Sequence, residues 1–195
     1  EKPIIEQNIC IMRDCLGIES IYVLLGYKKE LIMDYLKDVK NLGVNISYIE
    51  VSDVEKGLAM GILELQKYIH SNFCVILGDE VYYNSNHRDL LGFLNSDFSA
   101  VCAVKEVKHP YIIKKNYSVE MNEGRITSLI EKPDLPSNNY LGCGTYLFKP
   151  QIFDYIRVTP SSQKSKRVEL TDVINLIANK EGNVLPFILK GDYIN

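Results

Sequence analysis

Phe73-Cys74-Val75-Ile76-Leu77, closed by Gly78-Asp79, is the stretch that decides how this chain folds. A continuous apolar run ended by glycine predicts a strand buried on both faces, as in a parallel sheet covered by helices. The flanking sequence repeats that theme. Ile5, Ile9, Met12 and Leu16 recur at helical spacing over residues 4–16, with Gly17 as a stop signal, and Ile21-Tyr22-Val23-Leu24-Leu25 before Gly26 reads as a second buried strand. Residues 28–40 read as helix with Leu31, Tyr35 and Leu36 inward, residues 44–50 as strand, and 58–70 as the helix that leads to Phe73. Helix and strand alternate, so the fold class is α/β, with helices on both faces of a mostly parallel mixed sheet. Asp79 then stands at the carboxyl end of a central parallel strand.

The second half changes character. After a helix near 86–95 and a strand over 98–105, short strands near 117–121 and 125–130 flank Asn122-Glu123-Gly124, a hairpin signal that predicts an antiparallel insertion. Residues 134–139 read as loop, 140–148 as strand and 149–156 as a short helix. A Lys-rich loop precedes the last helix at 168–180, and 184–190 closes the pattern as a strand that Pro186 marks as an edge or bulged one.

At roughly 150 residues per domain, the 195 residues predict a single domain, 1–195. A composition 46% hydrophobic and 24% charged supports a packed core, which excludes disordered and fibrous classes. Lys and Arg number 22 against 25 Asp and Glu, a balance without the basic excess of a nucleic-acid binder. The five cysteines form no C-x-x-C and lie mostly in apolar runs, which fits buried free thiols in a reducing cytoplasm. No apolar run approaches the roughly 18 to 20 residues of a membrane span, and Glu1, Glu6 and Asp14 occupy what would be a signal peptide. Neither membrane insertion nor export is expected. The absence of an initiator Met and the early amphipathic segment suggest a start within something larger.

Four places could carry chemistry. A carboxylate beyond a strand end, as at Asp79, can offer hard oxygens to Mg²⁺, although Gly78-Asp79 alone fits a turn as well. Gly57-Leu58-Ala59-Met60-Gly61 opens a helix with small residues that let backbone amides approach a nucleotide, or is an ordinary loop-to-helix junction. Glu131-Lys132-Pro133 sets a carboxylate beside an ammonium at a strand end, suited to sugar hydroxyls and a phosphate or to a solvated turn. Glu169-Leu170-Thr171-Asp172 begins the last helix, where Thr171 or Asp172 could cap it. His70, His87 and His109 stand apart from Cys and carboxylates at metal spacing, so zinc is not expected.

Taken in order, KPIIEQNI (2–9), IESIYVLLGYKKELIMDYL (18–36), GLAMGILELQKYI (57–69), VILGDEVYY (75–83), ITSLIEKP (126–133), GCGTYLF (142–148), VELTDVI (168–174) and GDYIN (191–195) resemble the sugar-phosphate nucleotidyltransferases, especially the glucose-1-phosphate thymidylyltransferase group. The resemblance implies a Rossmann-like α/β/α sandwich. It implies an enzyme that joins a nucleoside triphosphate to a sugar 1-phosphate by in-line attack on the α-phosphorus, releasing pyrophosphate, with Mg²⁺ as cofactor. By that likeness Asp79 and Asn195 hold the metal, and Gly57, Leu58 and Ala59 line the base pocket. Glu131 binds sugar hydroxyls, Lys132 the sugar phosphate, and Gly144 and Glu169 the rest of the sugar, with Asp79 and Lys132 as the catalytic pair.

Two departures accompany it. Glu50-Val51-Ser52 stands where the family reads the base with Gln. The family's first strand and Gly-rich, Arg-containing loop would precede Lys2-Pro3, and neither is in this sequence. Without them the strand at 21–25 is expected to lack a neighbour, leaving the isolated chain marginally stable or self-associated as a homo-oligomer, and catalytically impaired. Two other readings are a noncatalytic sugar-phosphate or nucleotide-binding module, and a nucleotide-sugar-dependent glycosyltransferase using Asp79-Glu80 as a metal motif. The EKP and ELTD segments speak against the glycosyltransferase.

Overall fold

The structure, a computed structural model, describes residues 2–39 and 42–195; the last position of the helix expected over 28–40 lies outside them. The elements run α1 (Ile4–Leu16), β1 (Ser20–Leu25), α2 (Lys29–Asp38), β2 (Asn45–Glu50), α3 (Leu58–Leu63), β3 (Phe73–Ile76), β4 (Val81–Tyr83), β5 (Ala100–Glu106), β6 (Tyr117–Asn122), β7 (Arg125–Glu131), β8 (Tyr140–Phe148), α4 (Ile152–Val158), α5 (Leu170–Glu181), β9 (Val184–Ile188) and β10 (Asp192–Ile194). No helix is long and apolar enough to cross a membrane among the described residues.

The fold is α/β and Rossmann-like, built on a mixed sheet whose organiser is β8. One edge of β8 pairs with β5, to which β9 adds in parallel. Its other edge is shared end to end: β3 takes Thr145 to Phe148, and β6 takes Leu141 and Gly142. Because β3, β5 and β6 all run antiparallel to β8, and β9 follows β5, these four strands point the same way while β7 and β8 run against them. The sheet is thus largely unidirectional although most of its ladders are antiparallel. The expected hairpin forms at Glu123-Gly124, with φ of 48° and 74°, the left-handed pair that a two-residue turn requires. Pro186 lies in β9 at the sheet's edge.

Side chains alternate across this sheet as the twofold strand period dictates. Ala100, Cys102 and Val104 of β5, with Tyr146 and Phe148 of β8, pack beneath α3, α4 and α5. Val101, Ala103, Leu141, Cys143 and Leu147 face the opposite layer, built by α1 and residues 87–95. A separate parallel pair, β1 and β2, turns Ile21, Val23, Ile46 and Tyr48 toward α1 and α2 and lays Tyr22, Leu24 and Ile49 against the α3–α5 core.

Four expectations need correction. The strand at Phe73 is not a parallel strand buried on both faces: β3 is half-buried and pairs only with β8, antiparallel, so its other edge has no ladder partner among the described residues. Leu31 is 66% exposed, because the inward stripe of α2 is Ile32, Tyr35, Leu36 and Val39. Residues 87–95 form a 3₁₀ rather than an α-helix; the inward residues His87, Leu90 and Phe93 recur every third position, matching three residues per turn. The helix from 58 tightens into 3₁₀ at Glu64–Lys67.

Candidate active site

The site grows from the point where β8 hands its edge from β3 to β6. The Leu77 N–H donates to the Gly144 carbonyl at 2.8 Å, and the chain then leaves the sheet through Gly78 and Asp79, both exposed, before Glu80 dives back to 2% exposure at the start of β4. A crevice beside the carboxyl end of a strand, where neighbours diverge, is where α/β sheets bind ligands. Asn8 of α1 clamps this turn from below. Its Nδ2 donates to the Leu77 carbonyl at 3.0 Å and to the Glu80 carbonyl at 3.1 Å, so the Asp79 peptide is held at both ends while its carboxylate has no protein partner among the described residues.

From Glu80, the chain neighbour of Asp79, a run of contacts leads to Lys132 and Glu131. The Glu80 Oε1 accepts from Asn195 Nδ2 at 3.2 Å, and Asn195 Nδ2 also donates to Asn116 Oδ1 at 2.8 Å. The Asn116 carbonyl accepts the Lys132 N–H at 2.7 Å; Lys132 sits at φ 44°, a left-handed bend that lifts its ammonium into solvent 4.0 Å from Glu131. Burial pushes the Glu131 carboxyl above the usual range, Glu169 and Asp172 push it further, and Lys132 and the Thr171 hydroxyl oppose the rise. Asp172 is raised by burial and by Glu169. Glu169 occupies the N-cap position of α5 without a side-chain cap, and neither Thr171 nor Asp172 caps that helix. Val168, just before it, donates its N–H to the Lys56 carbonyl, and Gly57 (φ 95°) lies against Arg167 Cβ and the Val168 carbonyl, each 3.2 Å from where a Cβ would stand.

Asp79 through its neighbour Glu80, then Asn195, Lys132 and Glu131 are thus linked in series, with Glu169 acting on Glu131 through its charge and Gly57 lying against residues 167–168; this series is the rim of the candidate site. Two expected residues have a different character. Ala59 is completely buried in the α3–α5 core, so only its backbone could meet a ligand, whereas Leu58 is exposed. At Gly144 the place of a Cβ is filled by Leu77 Cγ at 2.5 Å and Glu80 Oε2 at 2.8 Å, so its missing side chain admits protein rather than sugar from that side. Asn8 and Asn116 were not among the expected residues, and Glu80 was expected only as half of a glycosyltransferase metal motif. They work through partners far away in sequence.

The like-charged trio around Glu131 has a thermodynamic consequence. A carboxyl whose folded pKa lies above its unfolded one binds more protons when folded, so its contribution to stability is full at low pH and is lost as pH rises through the carboxylate range. Glu131→Gln is accordingly expected to raise the Tm at pH 7, with the gain vanishing as pH falls below that range; melting curves across pH check it.

Among the described residues no group of three or more His, Cys, Asp or Glu side chains is spaced to hold a metal ion. At its Asp79 end the rim offers a carboxylate without a protein partner among the described residues and, at Asn195, an amide whose nitrogen is already committed. Such a sparse oxygen set suits a hard cation that keeps waters and shares phosphate oxygens, as Mg²⁺ does.

Comparison with known proteins bears on the family and the fold. A family model described as nucleotidyl transferase matches residues 1–193. The bifunctional protein GlmU of Methanocaldococcus jannaschii is 34% identical over 182 residues, 92% of this chain and 40% of the relative. The UTP–glucose-1-phosphate uridylyltransferase AglF of Haloferax volcanii is 32% identical over 177 residues, 90% of this chain and 71% of the relative. The chain thus spans about two fifths of the GlmU relative. A crystal structure of UDP-glucose pyrophosphorylase complexed with UDP-glucose superposes with a TM-score of 0.85 at 22% identity, covering 98% of this chain and 80% of that one, a likeness of fold.

Proposed function

We propose, for a chain that belongs to the nucleotidyl transferase family, that its rim from Asp79 to Glu169 joins a nucleoside triphosphate to a sugar 1-phosphate and releases pyrophosphate. The observation that carries this reading is the unbroken run of contacts from Glu80 through Asn195 and Asn116 to Lys132. It supports the reading by joining the residues assigned to a cation and to a phosphate, with Glu131 and Glu169, assigned to hydroxyls, beyond Lys132. Asp79 and the Asn195 Oδ1 would hold Mg²⁺, which when bound neutralises phosphate charge and aligns the α-phosphorus. Lys132 binds the sugar phosphate and directs its oxygen in line with the departing pyrophosphate; no covalent nucleophile is needed. Gly57 and its neighbours bring backbone to the base. The free thiols suit a reducing cytosol.

The rim holds Asp79, Glu131, Glu169 and Asp172 against Lys132 and Arg167, too little positive charge for a triphosphate. A Gly-rich, Arg-containing loop and its preceding strand, as in the family's first segment, would supply the rest. Asp79-Glu80 does not serve as a paired metal motif of the glycosyltransferase kind, since both Glu80 oxygens are engaged inside the protein.

Binding of glucose 1-phosphate tests this directly. A hydrogen bond to a charged group contributes about 1.5–3 kcal/mol, so Lys132→Ala is expected to weaken that binding at least about tenfold by calorimetry. An exposed strand-end Lys contributes little to the fold, so the Tm should not move. Equal affinity of the two proteins would remove Lys132 from the phosphate site and the reading with it.

A further inference from the structure

Glu80 is the most deeply buried carboxylate among the described residues. Its surroundings are all donors. Oε2 accepts the Tyr82 hydroxyl and the Gly144 N–H at 2.6 Å; Oε1 accepts the Tyr193 hydroxyl at 2.7 Å and Asn195 Nδ2 at 3.2 Å. With Glu80 ionised, Tyr82 must give its proton to Oε2, and its oxygen then takes the Thr145 hydroxyl at 3.0 Å. Thr145, having given its proton away, can only accept from His87 Nε2 at 3.1 Å, which leaves His87 Nδ1 to accept from Ser85 Oγ at 2.7 Å. One consistent polarity thus runs from Ser85 through His87, Thr145 and Tyr82 and ends on the Glu80 carboxylate.

That polarity reaches Asn195. Its Nδ2 faces three oxygens: Glu80 Oε1, Asn116 Oδ1 at 2.8 Å and the Tyr193 hydroxyl at 3.3 Å. An amide turned the other way would set its oxygen against a carboxylate and a carbonyl. Resting on the proposed reading of Asp79 and Asn195 as the cation-binding end, we infer that Glu80 is a positioning residue that fixes the direction of the Asn195 amide, keeping Oδ1 outward as an oxygen ligand beside Asp79. It also accounts for an amide rather than a carboxylate at position 195. An Asp there would press a second negative charge onto Glu80, whereas Asn supplies the hydrogen bond inward and the neutral oxygen outward.

Mn²⁺, followed by the loss of its free electron-spin resonance signal, is the probe for the purified chain. Glu80→Gln turns an acceptor into a donor facing Asn195 Nδ2, and removal of such an outer partner is expected to weaken Mn²⁺ binding about tenfold. The nuclear Overhauser contact between the Asn195 side-chain NH₂ and the Tyr193 ring should disappear in the same variant, with the circular dichroism spectrum unchanged. Adding Asn195→Asp to Glu80→Gln restores an opposed donor and acceptor, and Mn²⁺ affinity should return to that of the unsubstituted chain. Equal weakness in the single and double variants, or full affinity in Glu80→Gln, overturns the inference.

Asp79→Asn separates the two levels of the argument. If it leaves Mn²⁺ binding unchanged, the cation reading of the rim fails, and the Overhauser contact alone then decides the orientation: its loss in Glu80→Gln upholds the role of Glu80 and its retention overturns it. Should Glu80→Gln fail to fold, Asn195→Asp alone decides. A lowered Tm from the two facing carboxylates upholds the inference, and an unchanged one overturns it.

Discussion

Gly142→Ala is expected to destabilise the fold by about 3 kcal/mol or more, read as a shift of the urea midpoint at constant slope. A Cβ at this position would lie 1.8 Å from Tyr117 Cε2 and 2.0 Å from its Cζ, well inside the ring. Tyr117 cannot step aside. It is buried, its hydroxyl donates to the Cys143 carbonyl at 3.0 Å, and it opens β6 opposite Gly142 itself. The ring therefore lies across the point where β8 passes from one partner strand to the other, and only a residue without a side chain allows that closeness. Gly78→Ala is the control: no atom lies within 4 Å of its added Cβ and its φ is not positive, so it should leave the midpoint almost unmoved although it adjoins Asp79. Equal midpoints for the two variants would mean that the handover at Cys143 is looser than the packing indicates.

The same handover marks what could and could not be read from the chain alone. Alternating helix and strand patterns sufficed for the α/β class, and the Glu123-Gly124 hairpin was legible because its turn chemistry is local. Sequence spacing has no means of revealing that β3 and β6 share one edge of β8, since that is a fact about three segments far apart in the chain. This is why a run as apolar as FCVIL read as a central parallel strand. Asp79, Lys132 and Asn195 were nominated for a nucleotidyltransferase site by a resemblance that holds over ordered segments. Glu80, Asn8 and Asn116 were not, because each is an ordinary polar residue until the fold brings a distant partner to it: Asn8 to Glu80, Asn116 to Asn195. Leu31 failed for a simpler reason, as a leucine one position off the inward stripe of α2 looks like its neighbours on it.

Fusing a short strand and a Gly-rich, Arg-containing loop ahead of Lys2-Pro3 is expected to bring the largest gain in activity. Two ladders end without partners among the described residues: β1 pairs only with β2, and β3 only with β8. Both nonetheless lay side chains on the same core, Tyr22 and Leu24 from β1 beside Phe73 and Val75 from β3. Two unpaired edges over one shared core are the arrangement that a further strand completes, and unpaired edges otherwise invite association with another chain. Such a strand, about five to six residues long, would bond β3 on one side and β1 on the other. Its loop would then hang over the Asp79 rim, bringing the positive charge that Lys132 and Arg167 do not supply. Aimed donors and cations of this kind contribute about 10²–10³ each in rate. Pyrophosphate release from each nucleoside triphosphate with Mg²⁺ and glucose 1-phosphate should therefore be undetectable for residues 1–195 and measurable for the extended protein. Amide exchange in β1 and β3 should slow together in the extended form, since both edges gain hydrogen bonds at once. Turnover by the 195-residue chain equal to that of the extended one would show that Asp79, Lys132 and Asn195 suffice, and the assignment of charge along the rim would have to be redrawn.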